Sequence, residues 1–218
     1  MEKITKSGLK TILKNIMDIM EEEKQFLIEL DGSMGDGDLG LTMCSGFQAI
    51  YKEIDNIEDE DLGKVIMKLG MKMNATVPST MGTLLSTCFV KAAPKAKGKT
   101  ELTLQDFAAM GKAGVDGIMV RGKSKVGDKT MLDALIPAVE ALELAVISGK
   151  SMKSGQQDAL AAAEIGVEKT KTMQSVHGRA AYYAEKSIGR QDPGATAVMF
   201  IIKGIVRGCE KLNKNYHI

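Results

Sequence analysis

The sequence predicts an all-α fold, a bundle of about eight helices, on three observations. Helix formers dominate: Ala, Leu, Ile and Met are plentiful, with 15 Met, while aromatics reach only 4% and Trp is absent. Apolar residues recur at helical spacing along most of the chain. Runs of alternating apolar and polar residues, the mark of half-buried strands, are missing, and short loops join the helical segments.

The elements follow in order. Leu9, Ile12, Leu13, Ile16 and Met20 form one apolar face of a helix over residues 4–29. Residues 26–30, FLIEL, are the only strand-like piece, and the helix covers them equally well. A loop of Gly and Asp follows, then helices over 41–54 and 62–74, separated by an acidic turn at 55–61. Val77-Pro78-Ser79-Thr80 breaks the pattern before an apolar helix over 81–93. A lysine-rich loop, 94–100, leads to a helix capped by Thr103 and running over 104–119. Gly122 to Lys129 is a second Gly- and Lys-rich loop, and Thr130 opens an amphipathic helix over 131–147. An Ala-rich helix over 154–174 and a shorter one over 178–187 come next. The last helix has Asp192 as N-cap and Pro193 at its first position, where a missing N–H costs nothing, and its apolar run 195–206 reads as buried.

Nothing among the 218 residues marks a linker, so 1–218 reads as a single domain. Lys and Arg number 29 against 28 Asp and Glu, a net charge of +1 that provides no bulk field for nucleic acid. No stretch approaches 18 apolar residues and the N-terminus lacks a signal-type core, so no membrane association is expected. Cys44, Cys88 and Cys209 are odd in number and scattered, which fits reduced thiols in a cytoplasmic protein.

The chemistry concentrates at residues 31–40, DGSMGDGDLG, where three carboxylates stand among four glycines. Each glycine costs roughly 0.5–1 kcal/mol inside a helix or strand, so this composition belongs to a tight loop. Such a loop can aim Asp31, Asp36 and Asp38 at one point, where their charges repel unless a cation lies between them. Carboxylates without His or Cys are hard ligands suited to Mg²⁺ or Ca²⁺. The bland alternative is a solvated turn whose carboxylates cap the next helix.

Other motif matches fail on context. Gly35-x-Gly37-x-x-Gly40 fits the dinucleotide fingerprint, but Asp36 and Asp38 would repel a bare pyrophosphate and no βαβ pattern surrounds it. Residues 117–124, GIMVRGKS, match the P-loop letter for letter, yet no strand precedes them. An EF-hand beginning at Asp31 would need Gly at Asp36 and Glu at Thr42. Zinc has no ligand cluster, and His177 reads as a capping or surface residue.

Three further polar, Gly-containing loops each precede a predicted helix: 122–129, 177–179 and 187–195. Each can present helix N-terminal N–H groups to an anion. A carboxylate loop and several such loops at one end of a bundle describe a Mg-nucleotide pocket, since Mg²⁺ binds through a few carboxylates and substrate phosphates.

Three blocks, GDGDLGLTMCSGF (35–47), GVDGIMVRGKSKVGDKTMLDAL (114–135) and GRAAYYAEKSIGRQDPGATAVMF (178–200), resemble the ADP-binding L subunits of bacterial dihydroxyacetone kinases. The resemblance spreads over nearly the whole chain and accounts for the accidental P-loop match. It implies a barrel of eight antiparallel helices with a nucleotide pocket at one end. It also implies that Asp31, Asp36 and Asp38 hold two Mg²⁺ ions on ADP or ATP. By position, Leu39, Gly40, Leu41, Thr42, Ser79, Thr80, Gly122, Met131, Arg179, Asp192, Pro193 and Gly194 match the family's nucleotide-contacting residues. Two departures stand out. Leu39 replaces the family's usual His, and 77–80 shortens its Gly-Gly-x-Ser-Gly-Pro loop, with Pro78 lacking an N–H to donate.

The implied activity is phosphoryl transfer by positioning and charge neutralisation, with no covalent intermediate or catalytic side chain on this chain beyond its metal and nucleotide ligands. The partners implied are a phosphoprotein of the phosphotransferase system as donor and a sister subunit holding a small hydroxyketone, in a hetero-complex or homodimer. Rival expectations are an ATP-dependent subunit acting on another ketose, a relative of the fatty-acid kinase nucleotide domain, and a non-catalytic nucleotide-binding regulatory paralogue.

Overall fold

The structure, a computed structural model, describes residues 3–214; His217 lies outside the described residues. It contains nine α-helices among those residues: α1 (Lys6–Glu22), α2 (Lys24–Gly32), α3 (Leu39–Glu53), α4 (Leu62–Thr76), α5 (Thr80–Ala92), α6 (Leu104–Gly122), α7 (Leu132–Ile147), α8 (Met152–Thr170) and α9 (Pro193–Lys214). Eight of them form a closed ring. Each of α3 to α9 packs on the helix before it, with α1 as the neighbour of α3, and α9 returns to α1. The short α2 stands outside this sequence, against α3 and α9. None of the described helices is long and apolar enough to cross a membrane.

The ring is held by the stripes visible in the sequence. Helix α1 buries Ile12, Leu13, Ile16, Ile19 and Met20, and burial stabilises by roughly 1.5–3 kcal/mol for each such side chain. Closure needs a close approach of α1 to α9, because a Cβ at Gly204 would lie 2.6 Å from the Ile16 Cα. Any larger residue there must push the two helices apart.

The predicted helix over 4–29 is two helices. The apolar stripe lapses through the polar run 21–25, and the chain bends at Glu23, which ends α1 and begins α2. Residues 26–30 are helical, within α2. The predicted helix over 178–187 is a 3-10 segment, Arg179–Ser187, interrupted at Ala184 with φ 46°. A two-residue antiparallel pair, β1 (Ile4–Thr5) with β2 (Glu101–Leu102), was not expected.

An up-and-down ring sends alternate connections to opposite ends. The segments 54–61, 93–103 and 148–151, with the β1–β2 pair, fall at one end. The segments 23–38, 77–79, 123–131 and 171–192 fall at the other, together with the N-termini of α3, α5, α7 and α9. All four sequence-predicted loops share that second end.

Candidate functional site

The acidic loop grows out of the end of α2. Asp31 lies in its last turn, and its backbone carbonyl accepts N–H bonds from Met34 at 3.1 Å and Gly35 at 2.6 Å. These bonds fold the chain back, and Gly37 turns it with φ 71°. Gly35 sits beneath the Asp31 carboxylate so closely that a Cβ would be 2.5 Å from Oδ1. Asp38 then precedes α3 without a side-chain cap bond. One carboxylate oxygen each from Asp31, Asp36 and Asp38 lies within 4.8 Å of the others.

Partial burial pushes the Asp31 carboxyl above its ordinary range. The Leu39 N–H, 3.4 Å from Oδ2, opposes that shift, and the charges of Asp36 and Asp38 add to it. The residues fit a hard divalent cation. The donors are all oxygen, they converge, and Gly35 leaves them the room a Cβ would fill. Arg179 also reaches this loop, pairing with Asp36 at 2.6 Å.

The loop forms one wall of a cavity of about 950 Å³ at this end of the ring, within the size range of small-molecule and cofactor sites. The second wall is Pro78 to Met81 with Thr83 and Leu84, at the start of α5, where Ser79 Oγ accepts the Gly82 N–H at 3.1 Å. The third is Arg121, Gly122, Ser124 and Lys129 to Met131, leading into α7. The fourth is 177–180 with Asp192 to Gly194, leading into α9.

Of the predicted site residues, Asp31, Asp36, Asp38, Leu39, Ser79, Thr80, Gly122, Met131, Arg179, Asp192, Pro193 and Gly194 line this cavity. Gly40, Leu41 and Thr42 do not. Gly40 is buried against Lys24 and Ile28 of α2, Leu41 is half exposed, and Thr42 is within the first turn of α3, its N–H on the Asp38 carbonyl. The 177–179 loop leads into the 3-10 segment rather than an α-helix N-terminus. Residues 117–122 belong to the end of α6, so the P-loop match has no P-loop geometry.

Met34, Ser124, Lys129, Thr130 and His177, none of them named as a site residue from the sequence, are also on the cavity wall. His177, expected as a capping or surface residue, is partly exposed, and its Nε2 lies 3.1 Å from Asp128 Oδ2. Burial pushes Asp128 upward, but the Lys125 N–H and His177 outweigh it and hold the carboxyl below its usual range. Asp133 folds the same loop by accepting the Gly127 N–H at 2.6 Å and the Thr130 N–H at 2.7 Å. Asp192 is buried at the cavity wall, and that burial raises its carboxyl to about 7 against the pull of the Ala195 N–H. That N–H, 2.7 Å from Oδ2, makes Asp192 the expected cap of α9.

This geometry meets a family pattern, since the DAK2 domain matches residues 33–207. The chain belongs to the DAK2 domain family. Among DAK2 relatives it is 39% identical over 186 residues to the Escherichia coli K12 protein named PEP-dependent dihydroxyacetone kinase, ADP-binding subunit DhaL. The match covers 85% of this chain and 89% of that one. It is 29% identical over 187 residues to the Lactococcus lactis PTS-dependent dihydroxyacetone kinase, ADP-binding subunit DhaL, covering 86% and 89%. The fold is similar to that of the dihydroxyacetone kinase from C. freundii solved in complex with AMP-PNP and Mg²⁺. The TM-score is 0.70 at 25% identity, over 91% of this chain and 33% of that one. This DAK2 chain thus spans about a third of the solved kinase.

Proposed function

We propose that this chain is the nucleotide-binding subunit of a dihydroxyacetone kinase, or of a kinase for a related small ketose. The observation that carries this is the convergence of three carboxylates and four helix N-termini on one cavity of about 950 Å³. Helix N-termini favour phosphate, but Asp31, Asp36 and Asp38 repel it. The two halves agree only when cations lie between them.

Asp31, Asp36 and Asp38 would hold the magnesium, two ions in this reading. When bound, the ions neutralise phosphate charge and polarise the phosphoryl oxygens. The chain's own residues bind and orient. Arg179 brings a guanidinium fork able to pair with phosphate, and Met131, an adaptable apolar surface, suits the base. Ser79 and Thr80 offer the start of α5. No side chain of this site has to carry the phosphoryl group, so this chain holds the nucleotide while the group arrives from one partner and leaves to another. The donor in this reading is a phosphotransferase-system phosphoprotein and the acceptor is held on a substrate-bearing subunit; the relatives' names, one PEP-dependent, the other PTS-dependent and each an ADP-binding subunit, support it. A cytoplasmic location belongs to the same reading, as does a hetero-complex or homodimer.

The test is direct. Purified protein is denatured and its supernatant chromatographed, and stoichiometric ADP is the expected result for a carrier that retains its nucleotide. Protein that neither releases ADP nor binds added Mg-ADP overturns the proposal. A second reading, an ATP-dependent or regulatory subunit that exchanges nucleotide freely, is favoured by Leu39 and Pro78. Both line the cavity, Leu39 has no polar side-chain atom, and Pro78 has no N–H. It predicts empty protein on purification that binds Mg-ATP reversibly.

A further inference from the structure

The segment between α8 and α9 carries His177 and Arg179 to the cavity, yet among the described residues its one ion pair with the acidic loop is the exposed Arg179–Asp36 contact. Exposed pairs contribute little to holding a segment in place. The placement is instead decided at the base, where the two ends of the segment meet. There the Ser175 N–H donates to Ser187 Oγ at 2.9 Å and the Gly189 N–H to the Lys171 carbonyl at 2.7 Å.

Lys129 lies at that base. It is 4% exposed, unusual for a lysine, and holds a left-handed backbone with φ 59°. Its Nζ donates to the Met173 carbonyl at 3.2 Å and also to the Ser187 carbonyl, 14 residues further on. The adjacent residue reaches the same segment, because the Asp128 carbonyl accepts the Val176 N–H at 3.1 Å. One ammonium therefore bridges both ends of the excursion that bears Arg179, two residues before Met131 on the cavity wall. Burial lowers the lysine's pKa, with Asp192 opposing, so the charge is kept at a cost that two carbonyl acceptors offset.

We propose that Lys129 is a positioning residue, whose buried ammonium clasps residues 173 and 187 and thereby holds Arg179 over the cavity and sets how long a nucleotide stays bound. The retention part rests on the nucleotide-binding reading above; the clasp does not. Gly178, directly before Arg179, has φ 69° and nothing within 4 Å of where a Cβ would stand, so no packing at that position holds the segment in place.

Lys129→Met is the test, with two readouts. In nucleotide-free protein, trypsin cleavage after Arg179 and Lys186 is expected to accelerate at least tenfold relative to cleavage after Lys97, at the opposite end of the ring. Release of a fluorescent ADP from the Mg²⁺-loaded protein is expected to accelerate at least tenfold as well. Equal acceleration at both trypsin sites shows mere loss of stability and overturns the proposal, as does a cleavage ratio within twofold of wild type. Faster cleavage with unchanged release overturns the retention role. If the wild-type protein binds no ADP, the functional reading has failed and the trypsin ratio alone decides the clasp. Should Lys129→Met not fold, Lys129→Gln, which keeps a donor for one carbonyl, is expected to shift both readouts severalfold, and wild-type values from it overturn the proposal.

Discussion

The two ends of the ring treat their helix starts differently. At the end away from the cavity, α1, α4, α6 and α8 are each capped by a side chain, from Thr5, Asp61, Thr103 and Ser151. Thr103 and Asp106 form a full capping box there, with Lys99 on the Asp106 carboxylate. At the cavity end, Ser79 and Asp192 cap α5 and α9 from the position directly before each helix. Asp38 and Met131 make no such bond to α3 and α7, whose first N–H groups rely on longer bonds to Asp31 Oδ2 at 3.4 Å and Thr130 Oγ1 at 3.3 Å. The carboxylates of Asp31, Asp36 and Asp38 converge within 4.8 Å of one another, and Lys123, Lys129 and Ala184 hold positive φ. One end is locally satisfied and the other leaves its electrostatics for a ligand to complete, which is where local rules are expected to break.

The sharpest way to break this contrast is Asp36→Asn. Mg-ADP affinity is expected to fall at least a hundredfold by calorimetry, with thermal stability unchanged, because an exposed pair with Arg179 contributes little. Wild-type affinity in that variant would remove Asp36 from the metal set. Asp192→Asn comes next, in metal- and nucleotide-free protein. A carboxyl raised from 3.8 to about 7 favours the fold when protonated. Its contribution is therefore full below about pH 4 and lost as pH rises towards 7. Asn keeps an acceptor for the Ala195 N–H without the charge, so the variant should melt several degrees higher than wild type at pH 8 and close to it at pH 4. A constant difference across that range would contradict the buried charge.

The effects shrink at the other end. Asp106→Ala removes the capping box and should cost about 1–2 kcal/mol of stability in denaturant titrations, leaving Mg-ADP affinity unchanged. A loss of affinity there would mean that the ends are coupled. Lys3→Ala breaks an exposed pair with Glu101 and should change stability by no more than ~0.5 kcal/mol.

Most of the ring was legible because its signals are local. The α1 stripe, the Thr103 cap and the Asp192-Pro193 start all stand in the sequence as they stand in the fold. So does the acidic loop, whose glycines suit neither a helix nor a strand. What could not be read depends on distant partners. The segment Arg179–Ser187 has helix-forming residues, yet a helix over 175–187 would hold its ends roughly 18 Å apart. The Ser175–Ser187 bond requires them to touch, so tertiary contacts prevail over propensity. Nothing in the sequence sets Lys129 apart from the other lysines of its loop, because burial of its ammonium depends on carbonyls at 173 and 187. Gly40 to Thr42 matched a nucleotide motif, but only the first residue of α3 reaches the cavity before the helix turns its next residues into α2 and solvent.

The claim that the cavity end is two half-sites completed together is tested most directly by titrating ADP into nucleotide-stripped protein, with Mg²⁺ and with EDTA. Affinity at least a hundredfold higher with Mg²⁺ is the predicted result, because without cations the three carboxylates repel the phosphates. Equal affinity under both conditions would contradict it and return Asp31, Asp36 and Asp38 to an ordinary solvated turn.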